Sequence, residues 1–536
     1  MLNIRTNKSA KSLLILILFA ILIQGWFVNS INFIGPQDAG YLNIARTMFT
    51  SDVITAAEKE LTIDYVDHSP LYVAVCGFVY FLTGDIDGAL KICYLFFSVI
   101  LLVSIFLISL RLYERETAII SSFLVLFLPA LSVTIYYAMR HVIFISLLYL
   151  SLYFILKAYL DKRIRYYSLG GLALGLAYMT RGEGLVIFIA VLIVCILTSI
   201  FEERRFNKEF FKRNIIFVFC FILFYLTQSL LIYNSTGDWG MGGRKDYQYA
   251  QFIFGQAEIA GIKDASGSGT YEYGHQLYGT GEENNFSIFN AIKRNPSAYM
   301  HRLIGNYRNL LYEFSSPPVF PFFLLPFVGI ALIELLKNHE SVKAHILFFA
   351  IIIAMLSLLI FIFNVQTRHL TPIVPIMIMW SAYGIKKTQD TLRGKGFTKF
   401  AYLPSVVIIL SLSIMFFTYT KSIAAAIPRE TKAIGEWIKS NTSVSDLVIV
   451  PKGWFDERIY LQYYSKRKVR NHSSASEGSI LMLRQGQGEE LPAHKVDYTG
   501  SDNEDAIIDS YIKDLIPTEI YSFKVKDQKI VVYEMR

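Results

Sequence analysis

Residues 12–41 read SLLILILFAILIQGWFVNSINFIGPQDAGY, and this stretch decides the class of the molecule. Ser12 to Asn32 carries no ionised side chain and is long enough to cross about 30 Å of hydrocarbon at roughly 1.5 Å per helical residue. It lacks a small-residue cleavage pattern and is followed by many more runs of its kind, so it reads as a retained anchor and not a removed signal. Pro36-Gln37-Asp38-Ala39-Gly40-Tyr41 follows where the apolar run gives out. Dehydrating a carboxylate costs several kcal/mol unless a partner offsets it, so an acid kept at such a place does chemistry or holds a ligand.

Working outward, the apolar residues, 54% of the 536, fall in blocks of helical spanning length. Eleven spans are expected at 12–32, 86–110, 117–135, 141–160, 166–180, 184–201, 214–233, 319–336, 344–363, 370–385 and 400–420, making the fold mainly α and polytopic. Alternate connections differ in charge. The N-terminus and the stretches 111–116, 157–165, 202–213, 337–343 and 386–399 hold 21 Lys and Arg, whereas the opposite short loops hold only Arg46, Lys59, Arg140, Arg181 and Arg368. This asymmetry predicts a multi-pass protein of the plasma (inner) membrane with a cytoplasmic N-terminus; the loops 33–85 and 234–318 and the C-terminal tail then lie outside. The net charge of +8 follows from topology, and no basic patch with stacking aromatics points to nucleic acid.

Two domains are expected: 1–424 in the membrane and 425–536 as a small extracytoplasmic α/β domain. In the latter, Pro428 and Glu430 suit a helix start, and Leu447-Val448-Ile449-Val450 reads as a buried strand. Helices are expected at 455–464 and 504–515, and strands at 519–523 and 529–533. The outer segment 234–318 is rich in Gly and Tyr up to Gly281. Ile288 to Tyr312 then has the apolar spacing of a helix lying along a membrane surface, a brace or a guide for a lipid-linked substrate. Cys76, Cys93, Cys195 and Cys220 all sit in apolar stretches, which indicates neither a disulfide framework nor a thiolate metal site. No histidine pair has zinc-ligand spacing, the run Ser266-Gly267-Ser268-Gly269 reads as a loop and not a phosphate cradle, and Asp85-Ile86-Asp87 reads as a turn opening the second span. No cofactor and no metal are expected.

Once topology is drawn, Asp38, Arg46, Asp67, His68, Arg140, Arg181, Glu183 and Arg368 all map to the outer side, each in a short loop or at a helix mouth. The span before Thr180-Arg181-Gly182-Glu183-Gly184 has only about 15 residues, or some 22 Å, so Arg181 and Glu183 should be recessed. A recessed Arg either pairs with an internal acid, here Glu183 or Asp38, or binds an anion, for which phosphate suits its planar fork.

Several segments, taken in order, resemble a known family: Asp38, Tyr41 and Ala45 after the first span; His68-Ser69-Pro70-Leu71-Tyr72; Leu82-Thr83-Gly84; the run Leu169-Gly170-Gly171-Leu172-Ala173-Leu174-Gly175-Leu176-Ala177 leading to Thr180-Arg181-Gly182-Glu183-Gly184; and Arg368-His369-Leu370-Thr371-Pro372-Ile373-Val374-Pro375. Over residues 12 to about 420 the chain resembles the GT-C class of membrane glycosyltransferases, which includes the protein O-mannosyltransferases and the lipid A aminoarabinose transferase. The resemblance implies an inverting transfer of a sugar from a polyprenyl-phosphate donor to a hydroxyl acceptor at the outer face, the acceptor being protein, lipid or glycan. It also implies Asp38 as general base, Tyr41 in the acidic motif, and His68, Arg181 and Arg368 about the leaving phosphate, with Glu183 beside Arg181. Many relatives carry adjacent Asp and Glu where this chain has Gln37 and Asp38, so Asp38 matches either acid of that pair. The aminoarabinose transferases read Lys-Pro-Pro-Leu where this chain has His68-Ser69-Pro70-Leu71.

Two readings from other classes share these features. A multispan lipid or polysaccharide transporter would carry its charges near the bilayer midplane on broken helices, whereas here they gather at one face. A membrane scaffold with an exported binding domain would not need them.

Overall fold

The computed structural model describes residues 2–31, 36–50, 69–130, 140–203, 208–237, 239, 245–261, 268–315, 319–337, 339–426, 429–441, 447–450, 461–471, 480–485, 517–525 and 528–535. The chain divides into two units, one of residues 1–31, 64–79 and 88–423, the other of 32–63, 80–87 and 424–536. The division is therefore not a single cut near residue 424, because the segments 32–63 and 80–87 group with the tail.

The first unit is a bundle of apolar helices. Its elements are α1 (Leu2–Ile31), α3 (Pro70–Thr83), α4 (Ile86–Leu112), α5 (Arg115–Leu126), α6 (Arg140–Asp161), α7 (Ile164–Tyr178), α8 (Glu183–Glu203) and α9 (Lys208–Thr236). They continue through α10 (Lys245–Ile259), α11 (Ser268–Tyr278), α12 (Ile288–Arg294), α13 (Pro296–Ser315), α14 (Leu325–Leu336), α15 (His339–Phe361), α16 (Thr367–Leu370), α17 (Val374–Gly394) and α18 (Leu403–Ala426). Helix α2 (Pro36–Met48) belongs to the second unit, and α3 and α4 straddle the division. Among the described residues, stretches in α1, α4, α6 and α9 and one that runs into α18 are long and apolar enough to cross a membrane, with shorter apolar helices beside them. The protein is a multi-pass membrane protein.

Helix α6 is buried almost all round from His141 to Leu152, the signature of a central helix. Its few polar groups are satisfied across helices: Ser146 Oγ donates to the Phe97 carbonyl (2.6 Å), Ser151 Oγ to that of Gly170 (2.8 Å) and Tyr149 Oη to that of Pro372 (2.7 Å). The glycine run packs α7 on both sides. A Cβ at Gly170 would stand 2.8 Å from Ile155 of α6, and one at Gly171 would stand 2.5 Å from the Phe217 carbonyl of α9. Small residues thus let backbones approach where apolar burial alone gives no preference for helix over lipid.

The two ends of the bundle differ. At one end the basic connections meet: Arg115 donates to Ser12 Oγ (2.6 Å), Lys386 pairs with Glu114 (2.9 Å), Arg111 with Asp161, and Tyr113 Oη meets His345 (2.7 Å). At the other end lie the starts of α6 and α17, the α7–α8 turn and the end of α15, joined by the bonds described below.

The segment 33–85, expected as loop, holds α2 and α3. Helix α3 is apolar throughout, but its 14 residues reach only about 21 Å, short of a span, which is why hydropathy passes over it. The expected helix over 288–312 is broken at Asn295, whose Oδ1 accepts from Ala298 N (3.0 Å) and so caps α13, with Pro296 at its first turn. Asp85 likewise accepts from Asp87 N (3.1 Å) at the start of α4, a capping turn as expected.

In the second unit, β1 (Leu447–Val450), β2 (Lys468–Asn471), β3 (Ile480–Gln485), β4 (Pro517–Val525) and β5 (Gln528–Met535) form one mixed sheet in the order β2-β1-β3-β5-β4. Strand β1 pairs in parallel with β2 and β3, whereas β5 pairs antiparallel with β3 and β4. Helix α19 (Arg429–Asn441) buries Ile434 and Ile438, and Arg467 Nη2 caps it by donating to the Lys439 carbonyl (2.9 Å). Strands β2 and β3 were not foreseen. The helix expected at 504–515 and most of that at 455–464 lie outside the described residues.

Candidate functional site

Helix α7 ends at Tyr178 and α8 begins at Glu183, so four residues reverse the chain. Thr180 Oγ1 folds back to the Ala177 carbonyl (2.6 Å), and Arg181 N donates to Ala177 and Tyr178 (both 3.1 Å). Glycine is required at 184, where a Cβ would stand 2.7 Å from Tyr178 Cα. From outside, Ser69 Oγ donates to the Thr180 carbonyl (2.9 Å) and Leu71 N to that of Met179 (3.3 Å). The turn is therefore held by its own backbone and by the start of α3.

This turn fixes Arg181, which is only 9% exposed. Its Nε donates to both carboxylate oxygens of Glu183 (3.0 and 3.1 Å), Nη2 bonds Oε1 as well, and Nη1 meets the ring of the buried His141. The internal pair with Glu183, one of the readings open in the sequence, is formed. The fork of Arg181 is committed to Glu183 and His141, yet its charge still acts on its neighbours.

Arg368 is the principal neighbour. It sits on α16, between the end of α15 and the start of α17. Burial, then the charges of Arg140 and Arg181, push its guanidinium down to about 10, with Glu258 opposing them. It stays charged at neutral pH, and its buried Nε has no hydrogen-bond partner among the described residues. Next to it, His369 is pushed down to about 3 by burial and by the charges of Arg368 and Arg181. The neutral ring donates from Nδ1 to the Asn364 carbonyl (3.1 Å), leaving Nε2 as an acceptor. Glu258 of α10 is engaged by Asn364 Nδ2 and by Gln366 Nε2 (2.8 Å).

A second buried arginine borders the site. Arg302 of α13 is fully buried and donates to the carbonyls of Phe252 (2.7 Å), Ile362 (2.9 Å) and Phe363 (3.0 Å), with its guanidinium 4.2 Å from the centre of the Phe252 ring. Burial pushes it down to about 10.

Arg181, Glu183 and Arg368, singled out in the sequence, are thus brought together. Tyr41 is buried on α2 in the second unit. Asp38 also falls on α2, but its side chain, and the whole of His68, lie outside the described residues. Arg140 had no role in the sequence reading, and His141, His369, Glu258 and Arg302 had none either. The signal available for the first two was their placement: Arg140-His141 opens a helix with no further ionisable residue but tyrosine before Lys157, where ionisable groups are retained for a reason. Among the described residues no group of three or more His, Cys, Asp or Glu is arranged to hold a metal.

Residues 67–233 match the family model described as dolichyl-phosphate-mannose-protein mannosyltransferase. Among solved structures, ArnT from Cupriavidus metallidurans bound to undecaprenyl phosphate is similar with a TM-score of 0.56 at 12% identity, covering 97% of each chain. The same protein in the apo state gives 0.55 at 11% identity, again over 97% of each. The Archaeoglobus fulgidus oligosaccharyltransferase tethered with an acceptor peptide gives 0.50 at 13% identity, over 86% of this chain and 64% of that one. No curated protein matches the sequence. With the family match covering the helices that carry Arg140 and Arg181 and the likeness to ArnT running almost end to end, the chain has the fold of the GT-C class of membrane glycosyltransferases.

Proposed function

We propose that this protein is an inverting glycosyltransferase that moves a sugar from a polyprenyl-phosphate donor to a hydroxyl acceptor at the outer face of the membrane. The observation that carries this reading is the gathering of Arg140, Arg181 and Arg368 at one end of the bundle, near enough for their charges to act on one another. Glu183 already answers the charge of Arg181, whereas the buried Nε of Arg368 has no hydrogen-bond partner among the described residues, and a cation so placed is costly unless an anion meets it. A lipid-linked phosphate is such an anion, and ArnT, whose fold is shared, has been seen with undecaprenyl phosphate bound.

In the proposed reaction the acceptor oxygen attacks the anomeric carbon from the side opposite the phosphate. The bond between that carbon and the phosphate oxygen breaks, the bonding pair stays with the phosphate, and the acceptor proton passes to Asp38. The products are the glycosylated acceptor and the polyprenyl phosphate. A phosphodiester with one negative charge becomes a monoester with up to two, so groups that meet the extra charge lower the barrier. Arg368, with an unsatisfied Nε, is the residue assigned to that contact, and His68 is a second candidate. Arg181 is assigned to the field and not to direct contact, since Glu183 and His141 occupy its fork. Glu183 anchors it, and Tyr41 is placed with the acceptor motif by the resemblance alone. No metal is given a role. The N-terminus is assigned to the cytosol because the basic connections share one end of the bundle.

The test is Asp38→Asn with protein level monitored. Loss of glycan or glycoprotein product at normal protein level supports the assignment; retained transfer removes Asp38 as base.

A further inference from the structure

Helix α15 ends at Phe361, and the last carbonyls of a helix have no partner within it. Here another helix supplies the partners. Tyr299, Arg302 and Asn306 recur on one face of α13. Tyr299 Oη donates to the Phe361 carbonyl (2.9 Å), Arg302 to those of Ile362 and Phe363 (2.9 and 3.0 Å), and Asn306 Nδ2 to those of Ile360 and Phe363 (3.0 and 2.9 Å). Asn306 Oδ1 then accepts from Val365 N (3.4 Å). Three side chains one turn apart thus take up the end of α15 and the backbone that leaves it, and three residues further on stands Arg368.

Arg302 forms no ion pair with a carboxylate among the described residues. Its charge is met by the negative end of the α15 dipole and by the face of Phe252, which favour a cation at that place. The cradle is specific: at Gly255, one turn beyond Phe252, a Cβ would stand 3.0 Å from Arg302 Nη2.

We propose that Arg302 and Asn306 are positioning residues for the phosphate contact: by capping α15 from α13 they set the path of residues 362–368 and hence the place of the Arg368 guanidinium. This rests on the reading of Arg368 as a phosphate contact. A cap that merely braced the outer segment would steady the protein without favouring one ligand, whereas a positioning role makes the two sites depend on each other.

The test is a double-mutant cycle in nanodiscs with the full-length protein and undecaprenyl phosphate as probe. Arg302→Lys and Asn306→Ala are each made alone and with Arg368→Gln. Arg368→Gln is expected to weaken binding by about tenfold or more, and each clasp variant by roughly fivefold, as expected for a lost hydrogen bond that mattered. On the Arg368→Gln background the clasp variants should change binding less than twofold. If they weaken binding by the same factor with and without Arg368, or leave it unchanged in the otherwise intact protein, the positioning role is overturned while the phosphate reading stands. If Arg368→Gln alone leaves binding unchanged, the phosphate reading itself fails and this inference with it. Hydrogen exchange gives an independent check: amides of 362–369 should exchange faster in Asn306→Ala while those of α6 and α7 stay as in the parent, and unaltered exchange at 362–369 overturns the proposal.

Discussion

Replacing Glu183 with Gln separates anchoring from binding at the α7–α8 turn. The carboxylate is 14% exposed and its partner Arg181 9%, and Arg181 Nε lies 3.0 and 3.1 Å from its two oxygens. Two unit charges about 4 Å apart interact by roughly 4 kcal/mol at an effective dielectric of 20. Breaking a buried pair by removing one partner costs about 3–5 kcal/mol, because the other charge is left without compensation. Gln keeps the shape and one acceptor oxygen, so a loss near the lower end, about 3 kcal/mol, is expected. The same change makes the arginine cluster more positive, and affinity for a phosphorylated lipid should therefore hold or rise. The assay is thermal unfolding in detergent with and without undecaprenyl phosphate, where binding stabilises by about 2.7 kcal/mol at a ligand concentration of 100 Kd. A lower unfolding temperature in the absence of lipid, with an undiminished upward shift on adding it, is the expected pair of results. Unchanged stability, or loss of the lipid shift, would refute the anchoring role.

Arg368→Lys should raise the donor KM by about tenfold with the acceptor KM unchanged, since an ammonium cannot reproduce a planar fork; steady-state kinetics with each substrate varied decides it. His369 is held at about 3, below its ordinary value near 6.5, so the unfolded state binds more protons between those values and stability should rise with pH across that window and fall as pH drops through it. His369→Gln should flatten that slope, as measured by unfolding at pH 4 to 7. Gly171→Leu, which drives a side chain at the Phe217 carbonyl 2.5 Å from its Cβ, should sharply lower the yield of folded protein in size-exclusion profiles, whereas Gly25→Leu, with open space about it, should not. Transfer activity should survive EDTA, and abolition of turnover restored by a divalent ion would place a metal in the mechanism.

The class of the fold was legible because crossing a bilayer imposes length and apolarity on each helix separately, so α1, α4 and α9 announce themselves. Helix α3 did not, being too short for a span and too apolar for a loop. The pair of Arg181 with Glu183 was readable as one of two options because both residues lie on one turn. That Arg140 and Arg368 fall at the same end of the bundle as that turn was readable from the topology; which of them reach Arg181 was not, since it depends on how α6, α7, α8 and α16 stack, and no spacing in the chain encodes that. Arg302 illustrates the same limit. On an amphipathic helix a cation is expected to face water, and only the carbonyls at the end of α15 explain why this one is buried.

The brevity of α7 carries a further consequence. Its 15 residues are clasped by α6 through Gly170 and by α9 through Gly171, so neither sliding nor rotation is open to it, and the helix works as a depth gauge. One residue inserted between Gly175 and Tyr178 would advance the guanidinium of Arg181 by about 1.5 Å and swing it by about 100°. A chain that keeps this register keeps its charge at one level of the membrane.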